Sequence, residues 1–387
     1  MEERKKLKVA VVFGGVSTEH EVSLASAYNI LNAIDREKYD VVEIGMTKTG
    51  RFVYGEHALP YLLQEGEKKF LPKGIVAMRE QTKNLDYSAY REDGNSGSEN
   101  ELMILGAHRS PTTNNQKGFS LRDIDVLFPV MHGAMGEDGA MQGLCRIAGI
   151  PVVGCDVLAS AVAMDKITTN TIGDVNAIPQ AKWFWYPRRG IEKCLDEINR
   201  RIEKDLGGYP AFVKPSNSGS SVGVCKIHYH EELAKCVQSA AQFDNRILFE
   251  QAIKGREIEL GVLGEEEVFV STVAAEILPG HEFYDYEAKY IDDSSEAIIP
   301  AVLPAEALQT MRSYAEKIFY AIDGTSMARV DFFYDEQNGN VYFNEVNTIP
   351  GFTQTSMYPL LMKASGISYS ELVDRMISWS LRRAGKI

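Results

Sequence analysis

Glu345 and Asn347 close an apolar run, "ARVDFFYDEQNGNVYFNEVN" (328–347), and "TIPGFTQTS" (348–356) adds a proline, a glycine and a row of hydroxyls. The run contains Asn338-Gly339, a pair suited to a hairpin turn. A three-residue loop centred on Asn338 would set Asp331 opposite Glu345. Side chains two residues apart share a face. Arg329, Asp331, Glu345 and Asn347 then lie together, with Val330, Phe332, Tyr342 and Val346 on the other side. Directly opposed carboxylates repel unless a cation separates them. Oxygen donors of this kind suit Mg2+, which takes a few carboxylates and completes its shell with substrate phosphates. The competing reading is a solvated polar face on which Arg329 pairs with Asp331, and a two-residue turn would shift the register. Backbone amides near Gly351, beside Thr353, Thr355 and Ser356, form either an anion-binding nest or an ordinary Pro-Gly turn.

Two further stretches have residues fit for chemistry. "VKPSNSGSSVGV" (213–224) lacks Gly-Lys-Ser/Thr and runs into a strand, so it is not a Walker loop. Its N–H and O–H groups could cover phosphates with Lys214 as counter-charge, or it is a mobile surface turn. "GGVSTEHEVS" (14–23) stands where a first strand gives way to a helix. Thr18 and Glu21 fit a capping box. Glu19 is left in the first turn, to face a ligand or simply to meet the helix dipole. "HYH" (228–230) has two histidines without further ligands and reads as a strand end.

The elements that must position these residues follow from the apolar pattern. "KLKVAVVFGG" (6–15), "VSLASAYNILNAI" (22–34) and "DVVEIGMT" (40–47) read as strand, helix and strand, the opening of a parallel α/β domain that ends near residue 155. Residues 80–118 are polar and read as a long surface excursion. "DIDVLFPVM" (123–131) and "IPVVG" (150–154) read as strands, 156–205 as helix-rich, and "PAFVKP", "VGVCKI" and "RILFEQAI" as strands around a helix at 231–242. Antiparallel strands follow from 256 to 275, and a helix ends the chain. The chain has 387 residues, enough for two or three domains. A net charge of −13 argues against nucleic acid and anionic membrane as partners. No apolar run reaches the length of a membrane span, and the short basic start lacks the marks of a signal. Five cysteines, an odd number without CxxC, fit reduced thiols in the cytoplasm.

Together "FGGVSTEHEVSL", "MHGAMGEDGAMQG", "MDK" (164–166), "VKPSNSGSSVG", "FYDYEAKY" (283–290), "ARVDFF" and "NEVNTIPGFTQTS" resemble the D-alanine–D-alanine ligase family of the ATP-grasp superfamily, in the family's order and over nearly the whole chain. The resemblance implies an α/β (α+β) chain of three domains: 1–155, 156–252 and 253–387, with ATP held between the last two. It implies a cytoplasmic homodimer that uses ATP, two Mg2+ (or Mn2+) and two D-alanines to supply peptidoglycan synthesis. Glu19 would hold the ammonium of the first D-alanine, linked to Ser220 and Tyr290. Lys166, Lys214 and Lys289 would contact the ATP phosphates, with Ser221 also at the nucleotide. Glu250 and the Ala252–Ile253 backbone would take adenine, and Glu257 the ribose. Asp331, Glu345 and Asn347 would ligate the metals. Arg329 and the Gly351 amide would meet the oxyanion, Ser356 the second carboxylate, and His132 would lie near the acceptor.

The chemistry suits the residues. ATP would turn a poorly electrophilic carboxylate into an acyl phosphate, which the second amine attacks. That intermediate needs shelter from water, with "PGHEFYDYEAKY" and the serine-glycine loop as candidate lids. The residue before Ser356 is Thr355, with Gln354 before it, where relatives often carry histidine. Rival readings keep the fold but use D-lactate or D-serine as acceptor, activate another carboxylate, or bind nucleotide without catalysis. The intact "YEAKY" resembles the dipeptide-forming kind.

Overall fold

The computed structural model describes residues 6–66, 71, 73–87, 123–264, 266–278 and 296–387. Tyr290, Lys289, the "FYDYEAKY" segment and most of the 80–118 excursion lie outside the described residues. The contacts divide the chain into two units, residues 1–157 with 349–387, and residues 158–348. This joins the last segment to the first unit rather than to the preceding strands.

The first unit is built on strands β1 (Leu7–Gly14), β2 (Tyr39–Met46), β3 (Phe52–Tyr54) and β4 (Val126–Pro129) in the order β3-β2-β1-β4. β1 is parallel to both β2 and β4, and β3 is antiparallel to β2. A central parallel strand is covered on both faces, which explains the unbroken apolar run of β1; Val9 to Phe13 are almost fully buried. The expected strand at 150–154 is reduced to a single bridge between Leu127 and Val152. β1 ends at Gly14, whose φ is +86° and where a Cβ would sit 2.2 Å from the Met46 carbonyl oxygen, so glycine alone fits. The helix His20–Ala33 follows. Its Ser23 hydroxyl accepts from the Gly14 amide (2.7 Å) and donates to the Val130 carbonyl (2.6 Å), tying the helix to the carboxyl ends of two strands. The capping box is corrected here. Glu19 holds the N-cap position, without a side-chain cap bond. Glu21 instead accepts from Lys48 Nζ at 2.7 Å.

The second unit has two sheets. In one, β5 (Trp183–Pro187), β6 (Ala211–Pro215), β7 (Cys225–Ile227) and β8 (Arg246–Gln251) run in the order β5-β8-β6-β7, all antiparallel. β5 lies inside the stretch read as helix-rich; "WFWYP" is too short to show a period, and its edge position leaves Trp185 exposed. In the other, β9 (Arg256–Gly264), β10 (Val268–Val270), β11 (Ala275–Leu278), β12 (Glu296–Ile298), β13 (Ser326–Asp335) and β14 (Asn340–Asn347) run in the order β12-β11-β9-β13-β14, with β10 beside β9. Cys225 on β7 and Cys236 on the helix Leu233–Ala240 are joined as a disulfide, their Cα atoms 5.6 Å apart. The reading of five reduced thiols is corrected at that pair, because strand and helix bring two distant cysteines within bonding reach. Cys145, Cys155 and Cys194 stand outside this disulfide.

Two helices, Met357–Ala364 and Tyr369–Arg383, complete the first unit. Lys38 Nζ and Tyr39 Oη both reach Asp374, and Lys386 Nζ donates to the Asp125 carbonyl, so the end of the chain is pinned to strands near its start.

Glu43 on β2 carries a test of this packing. Burial pushes its carboxyl up to about 7 from 4.5, against the Leu59 amide and Arg36, which pull it down. The folded state therefore keeps a proton that the unfolded chain releases above about 4.5, and stability falls as pH rises through 4.5 to 7. Glu43→Gln should stabilise the protein at pH 8, by up to about 3 kcal/mol, and change little at pH 5. Urea unfolding at the two pH values measures the difference.

Candidate active site

The hairpin β13–β14 pairs Arg329 with Asn347, Val330 with Val346 and Asp331 with Glu345, as expected from the sequence. The reason differs. The loop has four residues, because Asp335 pairs with Asn340, and a bulge after Asp331 restores the expected pairing. Asp335 holds the turn by accepting from Gln337 and Asn338, with Gly339 at φ +70°. The bulge also changes which side chains are buried. Phe343 turns inward and meets Phe332 edge to face, 6.2 Å between ring centres. Tyr342, expected on the apolar face, is only half-buried.

Asp331 is flanked on its other side by Glu259 of β9, so three carboxylates stand abreast on adjacent strands. Arg329 places Nε 2.8 Å from Asp331 Oδ1 and Nη2 2.7 Å from Oδ2, a forked pair, with Glu259 Oε2 3.2 Å from Nε. Burial works against the guanidinium's charge, but Asp331, Glu259 and Glu345 hold it well above its ordinary value. Asn347 Nδ2 donates to Asp331 at 3.1 Å. Lys166 Nζ lies 3.5 Å from Glu345 and donates to the Ser218 carbonyl at 2.9 Å. The donor set is hard oxygen and fits Mg2+ or Mn2+. Among the described residues no group of three or more His, Cys, Asp or Glu side chains is placed to hold a metal ion by itself. Two carboxylates and an amide suit an ion that arrives with phosphates.

The serine-glycine loop is held at its root by Asp165. This carboxylate caps the helix Lys166–Val175 through the Thr168 amide (2.8 Å), accepts from Ser216 Oγ (2.9 Å) and Asn217 Nδ2 (2.5 Å), and pairs with Arg246. Burial raises its pKa, but these donors and Arg246 outweigh that and leave it below the ordinary value. Ser220 and Ser221 have φ of +49° and +58°, a conformation that costs non-glycine residues of order 1 kcal/mol each and is often found at functional sites. Lys214 on β6 reaches Glu250 on β8 at 2.5 Å, and Asn170 Nδ2 donates to the other Glu250 oxygen at 2.9 Å. Ala252 and Ile253 follow in irregular, half-buried chain, and Glu257 stands on β9.

In the first unit, Glu19 is almost wholly buried against Gly133, where a Cβ would come within 3.1 Å of its Oε2. Ser17 Oγ donates to the His132 carbonyl at 2.7 Å. His132 is enclosed: Nδ1 lies 3.0 Å from the Ile349 carbonyl and 3.5 Å from Glu137, and Nε2 lies 3.2 Å from Ser26 Oγ. Burial lowers the imidazole pKa, and Glu137 and Glu19 more than offset it, so it stays cationic to higher pH than usual. Burial and the Glu19 charge push Glu137 up. Ser26 also accepts from the Phe352 amide at 3.1 Å, which fixes the loop after Gly351. Ser356 Oγ accepts from the Thr353 amide at 2.9 Å, and a Cβ on Gly351 would lie 2.7 Å from it.

Thus in the second unit Lys166 joins the serine-glycine loop to Glu345, Arg329 and Asn347 meet Asp331, and Lys214 pairs separately with Glu250; the first unit sets Glu19 against Gly133 next to His132, with Gly351 beside Ser356. Asp165, Glu137 and Glu259 were not singled out by sequence. Asp165 sits inside the "MDK" triplet and Glu137 inside "HGAMGEDG", both noted for their neighbours; Glu259 becomes visible only once β9 is set beside β13.

Two family models match the chain: D-ala D-ala ligase N-terminus over residues 8–155 and D-ala D-ala ligase C-terminus over residues 174–378. A D-alanine--D-alanine ligase from Acetivibrio thermocellus is 44% identical over 98% of this chain and 96% of its own. Another, from Caldicellulosiruptor bescii, is 46% identical with the same coverage. Among solved structures, the VanG D-Ala:D-Ser ligase from Enterococcus faecalis matches with a TM-score of 0.77 and 34% identity, over 97% of this chain and 100% of its own. The D-alanine-D-alanine ligase from Coxiella burnetii matches at 0.72 and 30%, over 98% and 95%.

Removing the Asp165 carboxylate should unlock the serine-glycine loop. Asp165→Ala should cost about 2–4 kcal/mol at pH 7, because Arg246 and four other donors lose their acceptor. The wild type's advantage is present above the ordinary carboxylate pKa of 3.8 and is lost as pH falls through its lower folded value. Thermal melts from pH 7 down to pH 3 should show the two proteins converging.

Proposed function

The chain belongs to the D-alanine–D-alanine ligase family, and we propose that it joins two D-alanines with ATP, making D-alanyl-D-alanine through a D-alanyl phosphate. One arrangement carries this reading: Lys166 bridges the serine-glycine loop and Glu345 while Arg329 forks onto Asp331. A face with this charge pattern suits a nucleotide triphosphate and its divalent ions.

The first D-alanine carboxylate takes the γ-phosphoryl group of ATP, and ADP leaves. The amine of the second D-alanine attacks the acyl carbon, and phosphate departs from the tetrahedral intermediate. Lys166 and Lys214 neutralise phosphate oxygens during transfer, and the Ser220–Ser221 turn covers them. Glu250, Ala252, Ile253 and Glu257 take the adenine and ribose. Two Mg2+ (or Mn2+) supply charge neutralisation on the phosphates, with Asp331, Glu345 and Asn347 as their protein ligands. Arg329 and the Gly351 amide receive the oxyanion. Glu19 binds the first ammonium, Ser356 the second carboxylate, and His132 with Glu137 flanks the acceptor. Tyr290 keeps the link to Glu19, and Lys289 the phosphate contact, that the family resemblance implies. We keep functional divisions at residues 155 and 252: the first D-alanine on 1–155, the nucleotide between 156–252 and 253–387, and the metal and acceptor sites on 253–387. We place the enzyme in the cytoplasm as a homodimer that supplies peptidoglycan precursors. No helix among the described residues is long and apolar enough to cross a membrane.

Incubation with ATP, Mg2+ and D-alanine should release phosphate and dipeptide in equal amounts, while L-alanine, D-serine and D-lactate are poor acceptors. Arg329→Ala should lower kcat by about 10^2–10^3-fold when assayed well below its melting temperature, and should also lower that melting temperature, because Asp331 and Glu259 lose the cation between them. Mixed products with D-serine would overturn the acceptor assignment. Absence of phosphate release with any D-substrate would sink the ligase reading.

A further inference from the structure

We propose that Glu259 is the positioning residue that retains Arg329 when Asp331 gives up its oxygens to a metal ion, an inference that rests on the metal-and-nucleotide reading above. The register sets Glu259, Asp331 and Glu345 directly abreast on β9, β13 and β14. Neighbouring strands stand about 4.8 Å apart, so the three negative charges repel unless cations lie among them. Lys166 serves Glu345 at 3.5 Å. Arg329 serves both of the others, with its fork on Asp331 and its Nε 3.2 Å from Glu259.

An Asp331 oxygen that ligated a divalent ion would be lost to this fork in its present geometry, because the guanidinium already sits 2.8 and 2.7 Å from the two oxygens. As the ion binds, the guanidinium must release at least one of them. A released arginine on a half-open face would swing toward water. Glu259 prevents that. Its side chain is almost wholly buried and stands on the strand bonded to β13 on both sides of the pairing, so it cannot follow the arginine out. Arg329 therefore pivots from Asp331 toward Glu259 and remains at the reaction centre. The arginine acts as the stand-in cation of the ligand-free state, and Glu259 decides where it goes on displacement.

The test is a double-mutant cycle read in Mn2+ affinity, with kinetics alongside. E259Q keeps the shape and removes the charge. Arg329 should then cling to Asp331, weakening Mn2+ binding in the presence of ADP by about 5–10-fold and lowering kcat by about 10-fold or more, with KM for ATP and D-alanine nearly unchanged. In the R329Q background the same change should leave Mn2+ affinity unaltered, because no arginine remains to be held. R329K, which loses the fork but leaves Glu259 in place, should bind Mn2+ more tightly than wild type and serves as the second readout if E259Q does not fold. Wild-type Mn2+ affinity and kcat in E259Q would overturn the proposal. So would a weakening that persists in R329Q, which would make Glu259 a ligand. A wild-type protein that binds no Mn2+ with ADP would remove the metal-and-nucleotide reading itself, and that is scored on the wild type before any variant.

Discussion

Carboxylates set directly across a strand pair repel one another, and the second unit is arranged around that repulsion. Asp331 has a carboxylate on each side, from Glu345 and from Glu259. Such a row is unfavourable by itself, and it persists because Arg329 and Lys166 stand among the charges. A sheet face with its negative charges already crowded, and its cations already placed, meets an incoming metal or phosphate with little rearrangement of the backbone. The rigidity comes from β9 and β13, the two central strands of the six-stranded sheet.

Asp165 solves the complementary problem on a flexible element. A loop of serines and glycines has no packing of its own, so its shape must be imposed from its ends. One carboxylate caps a helix, grips Ser216 and Asn217 at the root of the loop, and pairs with Arg246 on β8. Lys166, the next residue, begins that helix and reaches both the loop and Glu345. Local helix capping, loop shape and the aim of a lysine thus share one anchor. In the first unit His132 plays a comparable part, since Ser26 and the Ile349 carbonyl join it to the loop that carries Gly351.

Much of this was legible in the residues. The alternation in 328–347 and its Asn-Gly turn gave the pairing of Asp331 with Glu345, although a bulge and not the loop length produces it. Alternation cannot reveal a bulge, which is why Tyr342 and Phe343 exchange places relative to expectation. The Thr18–Glu21 box does not set the cap, because the helix begins one residue later with Glu19 at the N-cap, and Lys48, distant in sequence, pairs with Glu21. β5 was missed because five residues rich in tryptophan and proline fit several local states. The disulfide and the Glu259 contact are tertiary facts: each depends on which strand lies beside which, and no spacing along the chain announces it. Family membership was legible because it rests on seven motifs in order, and order survives where single motifs are weak.

The first unit is discontinuous in sequence, its sheet made by residues before 157 and its closing helices by residues after 349. A ribosome therefore finishes the second unit while the first still lacks the helices that receive Lys38 and Tyr39 at Asp374. The Gly351 loop reaches Ser26, and the buried His132 gains its Ile349 partner, only with the final stretch of the chain. The first unit is thus begun first in synthesis and finished last, and its early strands must wait through the translation of a whole unit before their core is closed.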